Sequence, residues 1–366
     1  MKKTIRILAT LLALIMITGM LAACDSGGET PPASGSGDRS EGEVALPGNV
    51  TLTGGKDIYN DDIKIAQISI STAGIINQLV RMAFREACIR YPNVSVVHWD
   101  AEYDPNRQVT LIQEAITQGY DAIIIECMDP FAVNTAVEEA ERAGIPVISI
   151  NAAMPQTLHT VYLAGADWSS GWMSGEIMVN MLGRKEGSAI VLDCPSPMKP
   201  AALMGTGFED YIQQETNITL IEQIGIDAFS ADNAQTAMRD CLTKYGPGQI
   251  DMVYCANDDI AMGAVNAIDQ AGRGDEGIIV FGFNGFRNGL ELIKAGKLAG
   301  TMFGDTYVQN SVAFYFAMNA IATGQTAYTA GYSETPIVEQ PMIPTTAANI
   351  DDIMACSRWF SSSISG

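Results

Sequence analysis

The segment "MVYCANDDIAMGA" (252–264) joins an apolar run to an amphipathic one. The run that ends at Cys255 has the length and composition of a strand buried on both faces, and the spacing that follows favours a helix. Asn257, Asp258 and Asp259 stand between the two halves, where they either cap the helix or face a ligand. We predict that Asn257 contacts a ligand, that Asp258 caps the helix, and that Asp259 lies in its first turn.

The same alternation continues through the chain from residue 61. Between the apolar runs lie amphipathic stretches such as 75–91 and 106–119, whose apolar residues recur every three or four positions. Strand–helix–strand repetition predicts an α/β fold with doubly wound parallel sheets. The runs are too many for one six-stranded sheet, and the rhythm breaks near 151–168, so we expect two lobes. The apolar runs are 63–70, 94–99, 121–127, 145–150, 188–193, 218–226, 250–255 and 277–283.

Polar residues follow nearly every one of these strands. In parallel α/β sheets the ligand crevice lies at the carboxyl ends of the strands, so these residues are candidates for a binding site. Each is also a possible helix N-cap, and only the set as a whole argues for a site. The set is Ser71, Thr72, Asp100, Asp129, Asn151, Asp193, Asn257, Asp258 and Asn284.

Aromatic residues lie near the polar ones along the chain. Flat apolar faces beside amide, hydroxyl and carboxylate groups suit a ligand with C–H faces and O–H edges, such as a sugar or a cyclic polyol. For residues within strands, a place in the core is the competing interpretation. These aromatic residues are Trp99, Trp168, Phe229, Phe283, Phe286 and Phe303.

The N-terminus predicts export and lipid anchoring. Lys2, Lys3 and Arg6 precede an apolar run that is short for a membrane span, which indicates a signal peptide over 1–23. The ending "LAAC" is similar to the lipobox of bacterial lipoproteins, in which the peptide is cut on the N-terminal side of the cysteine, here Cys24, and the thiol carries a diacylglyceride. A plain signal peptide and an uncleaved anchor are the alternatives. The segment 24–60 is rich in Gly, Ser, Pro and acidic residues, which predicts a flexible tether.

Charge and cysteine usage exclude several function classes. Without the three cations of the leader, 18 Lys and Arg face 42 Asp and Glu, a formal charge of −24 that opposes nucleic-acid binding. The six further cysteines lack dense spacing, so we expect buried free thiols rather than disulfides. With two histidines and no HExxH motif, we expect no metal and no cofactor. GxGxxG after the first strand and GxSxG are absent, which argues against an enzyme.

The body from about 63 to 349 resembles the periplasmic sugar-binding proteins of the ribose and galactose type, the solute-binding components of ABC importers. The resemblance rests on "GYDAIIIECMDPFAVNTAVEEAERAGIPVISIN", "ANDDIAMGAVNAIDQAG", "IIVFGFNGFRNGLELIKAGKLAGTM" and "PIVEQPMIPTTAANID". It implies two lobes joined by three chain crossings, with the ligand trapped by hinge closure. The crossings are expected near Ala166-Asp167, Gly304-Asp305 and Val338-Glu339.

The resemblance also carries some ligand positions over and leaves others in doubt. Ser71, Phe229 and Asn257 match the family, whereas Asn151-Ala152, Ala202, Asn284 and Gly304 depart from it, so ribose itself is not expected. Trp168 is a candidate replacement for an aromatic face that the family places after the first strand, where Asn77 and Gln78 stand here. The complete predicted set of ligand-binding residues is Ser71, Thr72, Asp100, Asn151, Trp168, Phe229, Asn257, Asn284 and Asp305.

Together these observations predict a lipid-anchored, extracytoplasmic, non-enzymatic solute-binding protein. We expect a monomer that captures a neutral sugar or polyol and delivers it to ABC permease subunits. A nucleoside or quorum-sensing furanose as ligand, and a role in sensing through a chemoreceptor or sensor kinase, are the alternatives. The expected organisation is lobe 1 at 61–166 plus 305–338, lobe 2 at 167–304 plus 339–350, and a tail at 351–366. Disorder is the expectation for that tail, with docking of Trp359-Phe360 as the alternative.

Overall fold

The structure is a computed structural model that describes residues 55–165, 168–195, 198 and 203–360. The leader, Cys24, Ala166-Asp167 and Ala202 lie outside these ranges, as do residues 361–366. No helix within the described ranges is both long and apolar enough to span a bilayer.

Twelve strands and ten α-helices make up the described part of the chain. The strands are β1 (Ile63–Ser69), β2 (Val94–Asp100), β3 (Ala122–Ile125), β4 (Val147–Ile150), β5 (Val161–Ala164), β6 (Glu186–Asp193), β7 (Asn217–Gly225), β8 (Met252–Cys255), β9 (Ile279–Asn284), β10 (Gly300–Phe303), β11 (Ile337–Glu339) and β12 (Ile343–Thr346). The helices are α1 (Asn77–Arg90), α2 (Pro105–Thr117), α3 (Asn134–Arg142), α4 (Trp168–Leu182), α5 (Met204–Glu215), α6 (Ala231–Lys244), α7 (Asp258–Gln270), α8 (Arg287–Lys294), α9 (Thr306–Thr323) and α10 (Ile350–Cys356).

The strands form two six-stranded sheets, one in each lobe. Lobe 1 has the order β11-β5-β4-β3-β1-β2, and lobe 2 has the order β12-β10-β9-β8-β6-β7. The two orders match strand for strand, so the lobes repeat one doubly wound topology, as the sequence predicted. All pairs are parallel except β10 with β12. The sequence analysis missed β5, β10, β11 and β12, which are only three or four residues long.

Both faces of each sheet are covered, which explains the continuous apolar runs. In β3, Ile124 packs with Phe84 and Phe314 in one buried cluster, while Ile123 and Ile125 belong to a cluster on the other face. All three isoleucines are fully buried. A strand buried on both faces disfavours polar side chains within it, so they concentrate at its ends.

Two crossings between the lobes lie within the described residues. Gly304-Asp305 connects β10 of lobe 2 to α9 of lobe 1, where the sequence placed a crossing. The other lies at 340–342, slightly beyond the predicted Val338-Glu339, because parallel pairing with β5 extends β11 through Glu339. Gln340 fastens this crossing, since its backbone N–H donates to Ala164 O at 2.7 Å and its Nε2 to Asp305 O at 3.1 Å.

Residues 350–360 pack against the body, so the expectation of disorder was wrong for this part of the tail. Trp359 is 3% exposed and lies edge-on to Phe286, with ring centroids 6.3 Å apart. The Arg287 guanidinium lies 5.4 Å from the Phe360 ring centroid, and that of Arg358 lies 4.5 Å from the Tyr307 centroid. The segment therefore contacts lobe 2 through Phe286 and lobe 1 through α9.

The six cysteines of the body are free thiols, as the sequence predicted. Four of them, Cys127, Cys194, Cys241 and Cys255, are buried. Cys88 is half-buried and Cys356 is exposed, which corrects the expectation of burial for these two.

A buried carboxylate near the end of α3 fastens the edge of lobe 1. Glu141 Oε1 accepts from the backbone N–H groups of Val147 and Thr160, each at 2.7 Å, and from the Thr160 hydroxyl at 2.8 Å. Its Oε2 accepts from the N–H of Ala327 at 2.7 Å. Burial raises the pKa of Glu141, although these hydrogen bonds favour its charged form. One side chain thus ties α3 to β4, to the residue before β5 and to the loop after α9.

We expect Glu141→Ala to lower the free energy of unfolding by about 3 kcal/mol or more, because three backbone N–H groups, two of them in buried hydrogen bonds, lose their acceptor. Glu138→Ala is the matched control on the same helix, since Glu138 makes an exposed i,i+4 ion pair with Arg142, and it should cost about 0.5 kcal/mol or less. Urea unfolding followed by circular dichroism measures both. If Glu141→Ala does not fold, Glu141→Gln, which keeps one acceptor oxygen, replaces it. Equal losses at positions 138 and 141 would contradict the role given to Glu141.

Candidate ligand cleft

A cavity of about 380 Å³ lies between the lobes, at the carboxyl ends of both sheets. Its walls come from the loops after β1, β2 and β3 in lobe 1 and after β7, β8 and β9 in lobe 2. The side chains with polar atoms or aromatic rings that line it are Ser71, Asn77, Tyr103, Glu126, Phe229, Ser230, Asn257, Asp259, Asn284 and Phe286.

Backbone strain in the described residues concentrates around this cavity. Six non-glycine residues have positive φ, a conformation uncommon for residues with a Cβ. Such strain persists only where the surrounding structure enforces it, and it clusters at functional sites. The six are Glu102, Tyr103, Asn151, Ala228, Phe229 and Asn284.

One hydrogen bond closes the mouth of the cavity. The Tyr103 hydroxyl, from the loop after β2, donates to the carbonyl oxygen of Ala228 after β7, at 3.0 Å. Tyr103 and Ala228 both have left-handed backbone, so strained loops from the two lobes meet here. The structure therefore has the lobes in contact over the cavity.

Four predicted residues are brought together in the cavity, namely Ser71, Phe229, Asn257 and Asn284. Asn284 ends β9 with φ of 84°, a conformation that asparagine tolerates better than most residues. Within the described ranges its side-chain amide makes no hydrogen bond, so it is available to a ligand. Phe229 adds an aromatic face.

Asn257 has two tasks rather than the single one predicted. It is the N-cap of α7, and its Oδ1 accepts from the N–H of Ile260 at 2.8 Å. It is only 5% exposed and still lines the cavity. Since Oδ1 is engaged in the cap, Nδ2 is the atom of this amide that is left to donate a hydrogen bond.

Asp258 does not cap the helix, which corrects the sequence interpretation. It occupies the first position of α7 and is completely buried. Its Oδ2 accepts from the N–H of Phe286 at 2.5 Å. The Thr301 hydroxyl lies beside the carboxyl group of Asp258. Neither Thr301 Oγ1 nor Asp258 Oδ1 makes a hydrogen bond of good geometry with a described residue. Asp258 therefore lies behind the loop that carries Asn284 and Phe286 and stabilises it.

Burial raises the pKa of Asp258 to about 8. Two glycines make its position possible, because a Cβ at Gly282 would lie 2.1 Å from Oδ1 and one at Gly289 would lie 2.4 Å from Cγ. The carboxyl group thus fits inside lobe 2 because Gly282 and Gly289 have no side chain to occupy the same space.

Asn151 lies behind the cavity rather than in its wall. Its Nδ2 donates to Glu126 Oε1 at 3.1 Å, and its Oδ1 accepts from Gln309 Nε2 at 2.8 Å. Both ends of the amide are therefore used. Asn151, Gln309 and Asn284 also line a small hinge-side space of about 20 Å³. Asn151 orients Glu126, whose carboxylate lines the main cavity.

Two carboxylates face the cavity, one from each lobe. Burial raises the pKa of Glu126, although the hydrogen bond from the Asn151 amide acts to lower it. Burial likewise raises the pKa of Asp259, against the lowering effect of the hydrogen bond from Asn288. Asn288 Nδ2 lies 2.6 Å from Asp259 Oδ1. Burial also raises the pKa of Tyr103, and the negative charges of Glu126 and Asp259 act on it in the same direction. The phenol and the two carboxylates therefore share one electrostatic environment.

The remaining predicted residues are not in the cavity wall. Thr72 Oγ1 donates to Asp100 Oδ2 at 2.5 Å, and Glu102 N–H donates to Asp100 Oδ1 at 2.8 Å. Burial alone would raise the pKa of Asp100, but these hydrogen bonds lower it overall. Thr72 and Asp100 thus stabilise the loop that carries Tyr103.

Trp168 and Asp305 also have other partners. The Trp168 indole N–H donates to Asp210 Oδ2 at 2.7 Å, and its ring packs on Trp172 in the same helix, with centroids 4.9 Å apart. Asp305 caps α9, since its Oδ1 accepts from Val308 N–H at 3.1 Å. Its place is the hinge, where its carbonyl oxygen accepts from Gln340.

Glu126 and Tyr103 lie in the cavity wall but outside the predicted ligand set, as do Asn77, Ser230 and Asp259. The predicted strand over 121–127 includes Glu126, but β3 ends at Ile125, so Glu126 is the first residue beyond the strand. A strand boundary placed two residues earlier would have found it. Tyr103 lies three residues past β2 in a loop with left-handed backbone, and no periodicity marks such a position.

Comparison with known proteins agrees with this geometry. Residues 65–326 match the family model described as periplasmic binding protein domain. The chain belongs to the periplasmic binding protein family. Members are non-enzymatic solute receptors, so the expectation of a non-enzymatic protein holds. Among described residues, no group of three or more His, Cys, Asp or Glu side chains is placed to hold a metal.

Relatives within the family include two curated proteins. The chain is 29% identical over 263 residues to a xylitol-binding protein of Mycolicibacterium smegmatis, which covers 71% of this chain and 70% of that protein. It is 29% identical over 209 residues to a ribose import binding protein of Bacillus subtilis, covering 57% of this chain and 66% of that protein. The resemblance to the ribose type is confirmed at the level of the family.

A solved structure supports the fold. An ABC transporter solute binding protein from Bacillus halodurans with bound myo-inositol superimposes with a TM-score of 0.70 at 23% identity, covering 81% of this chain and 98% of that one. The two-lobed architecture predicted from the sequence is therefore confirmed.

The buried Asp258 generates a prediction about pH. Its pKa is about 8 in the folded protein against 3.8 ordinarily, so between these values the folded state holds a proton that the unfolded chain releases. The contribution of this group to stability is therefore full below about pH 4 and is lost as the pH rises towards 8. We expect Asp258→Asn, which cannot titrate, to gain stability relative to the original protein between pH 5 and pH 8.

Urea unfolding at pH 5, 6.5 and 8 measures this difference. Asp275→Asn is the control, because it removes an exposed carboxylate from the same lobe and should leave the relative pH dependence unchanged. A constant difference between Asp258→Asn and the original protein across the three pH values would show that Asp258 does not titrate in this range.

Proposed function

We propose that the chain is a solute-binding protein that captures a sugar or polyol in the cleft between its lobes. The observation that carries this proposal is the cavity itself. It lies at the strand ends of both lobes, and its wall combines hydroxyl, amide and carboxylate groups with the rings of Tyr103, Phe229 and Phe286. Rings contact the C–H faces of a sugar, and the polar groups pair with its hydroxyls.

The ligands in the names of the relatives support the same class. Xylitol, ribose and myo-inositol, named for the two curated relatives and the solved structure, are small compounds with several neighbouring hydroxyls. The side chain of Asn257 supplies an N–H donor and that of Asn284 a free amide, from two neighbouring strands of lobe 2. A row of hydroxyls can be bound by such a pair from one side.

Hinge closure is the proposed mechanism of capture. Opening the lobes requires loss of the bond between Tyr103 and Ala228, and closing them removes the ligand from water. The ligand stabilises the closed form by contacting both lobes, through Ser71 and Glu126 on one side and Phe229, Asn257 and Asn284 on the other. Thr72, Asp100, Asn151 and Asp305 act on the ligand only through the loops and the hinge that they stabilise. Trp168 has no role in the proposed site.

Delivery to ABC permease subunits and anchoring through a lipid on Cys24 complete the proposal. Cys24 lies outside the described residues, and its role rests on the sequence "LAAC". We expect Cys24→Ala to move the protein from the membrane fraction to the soluble extracytoplasmic fraction. Fractionation and intact mass measure this, and an unchanged distribution together with the unmodified mass of the original protein would contradict lipidation.

A ligand panel tests the capture of a sugar or polyol. We expect a subset of pentoses, hexoses, polyols and inositols to raise the unfolding temperature, because a ligand at a hundredfold over its Kd adds about 2.7 kcal/mol to the free energy of unfolding. Nucleosides and furanose signals belong in the same panel, since they fit the same fold. A response to nucleosides alone would overturn the proposal.

Asn257 provides matched variants for that panel. Asn257→Ser keeps a capping oxygen and loses the amide, so it should fold with nearly unchanged stability but bind the identified ligand about tenfold or more weakly. Asn257→Ala should lose about 1 kcal/mol of stability as well. Unchanged affinity in the Ser variant would remove Asn257 from the site.

A further inference from the structure

We propose that the ligand carries a protonated amine as well as hydroxyls, as an amino sugar or an amino polyol does. The inference rests on the proposed capture of a polyhydroxy compound and narrows its class. The sequence alone predicted a neutral ligand, and the proposed ligand is instead a cation. The observation behind it is the presence in the cavity wall of Glu126 and Asp259, one from each lobe, without a cationic partner.

The hydrogen bonds of the two carboxylates leave acceptor positions open. Glu126 accepts from the Asn151 amide through Oε1, and Asp259 accepts from the Asn288 amide through Oδ1. Each carboxylate has about four lone-pair directions. Glu126 Oε2 and Asp259 Oδ2 accept no hydrogen bond from another described side chain or backbone group. The open acceptors therefore belong to side chains that line the place where a ligand lies.

Cations are missing from the same wall. None of the described residues that line the cavity is Lys or Arg. Near the mouth, Arg107 is occupied by Glu102 and by the carbonyl oxygen of Asp100. Arg287, which follows Phe286, pairs with Glu291 on the outside of α8. The two carboxylates thus have no ion-pair partner among the described residues.

Closure of the lobes around a neutral ligand leaves the charge of these two carboxylates without a counter-charge. Removing water from two carboxylates without a cation disfavours their charged forms, in accordance with the upward shift of both pKa values. An ammonium group has three donors and a positive charge, so it pairs with the open acceptor of a carboxylate and also supplies the missing counter-charge. Closure would then be coupled to the presence of the amine.

The rest of the wall limits the amine to a polyhydroxy compound of modest size. Phe229, Phe286 and Tyr103 offer faces for ring C–H groups and for a cation. Ser71, Asn257 and Asn284 provide neutral partners for hydroxyls. A volume of about 380 Å³ suits a single sugar ring or an open six-carbon chain better than an oligosaccharide.

Matched pairs of compounds test the inference. The pairs are D-glucosamine with D-glucose, D-galactosamine with D-galactose, and glucamine with glucitol. In each pair the first compound has one amine in place of one hydroxyl of the second. Isothermal titration calorimetry gives the Kd ratio within each pair. We expect the amine to bind about tenfold or more tightly in at least one pair. N-acetylglucosamine, which has the nitrogen without the charge, should lose that advantage.

Charge-neutral variants locate the effect. Glu126→Gln and Asp259→Asn should each bring the Kd ratio of the preferred pair towards one. Glu114→Gln, which removes an exposed carboxylate of lobe 1 outside the cavity wall, should leave the ratio as it is. Circular dichroism confirms that the variants fold. A loss of preference in Glu114→Gln as large as in the other two would assign the effect to the general acidity of the protein and overturn the inference.

The outcomes separate this inference from the proposed function. Amine preference that depends on Glu126 or Asp259 supports both. Equal or tighter binding of the neutral member in every responding pair overturns the inference and leaves sugar or polyol capture standing. No binding by any member of these pairs or of the wider panel of sugars and polyols overturns both.

Discussion

Burial of both faces of two parallel sheets is the constraint on which the rest of the structure depends. Strands such as β3 and β8 are buried along their whole length, so polar side chains are concentrated at the positions where the chain leaves a strand. Parallel strands bring all of these positions to one edge of each sheet, and the two edges face each other. The polar cleft is therefore a consequence of an apolar interior. Its left-handed residues, such as Asn151 and Asn284, mark how sharply the chain must turn there.

The sequence was sufficient for the fold class, although not for four short strands, because periodicity and run length report burial directly. It was less informative about the site, where one or two residues decide which side chain faces the ligand. Glu126 was counted as part of a strand that ends at Ile125, and Trp168 was assigned to the cleft on its position in the chain, although its indole is bound to Asp210. Both errors concern where an element begins or ends and which way a side chain points, and hydrophobic patterns do not encode either.

The triplet at 257–259 shows how closely stability and binding are combined in this cleft. Asn257 caps α7 with one atom of its amide and leaves the other for the cavity, so its two tasks cannot be separated by position in the sequence. Asp258 points the opposite way, into lobe 2, and holds the backbone that presents Phe286. Asp259 returns to the cavity. Asn257 thus caps the helix, Asp258 supports the loop behind the cleft, and Asp259 lines the cavity. Successive side chains point in different directions because each residue of a helix is rotated by about 100° about the helix axis.

The support of the cleft wall extends beyond the two lobes to the C-terminal segment. Phe286 has its backbone held by Asp258, its ring in the cavity wall and its other side against Trp359. Arg358, next to Trp359, lies over the ring of Tyr307 in the first turn of α9, directly after the Gly304-Asp305 crossing. A change in the angle between the lobes moves α9 relative to Phe286, so residues 358–360 must either follow one lobe or bend. The packing of Trp359 against Phe286 favours attachment to lobe 2, so opening would break the contacts of Arg358 with Tyr307 and Glu86 in lobe 1.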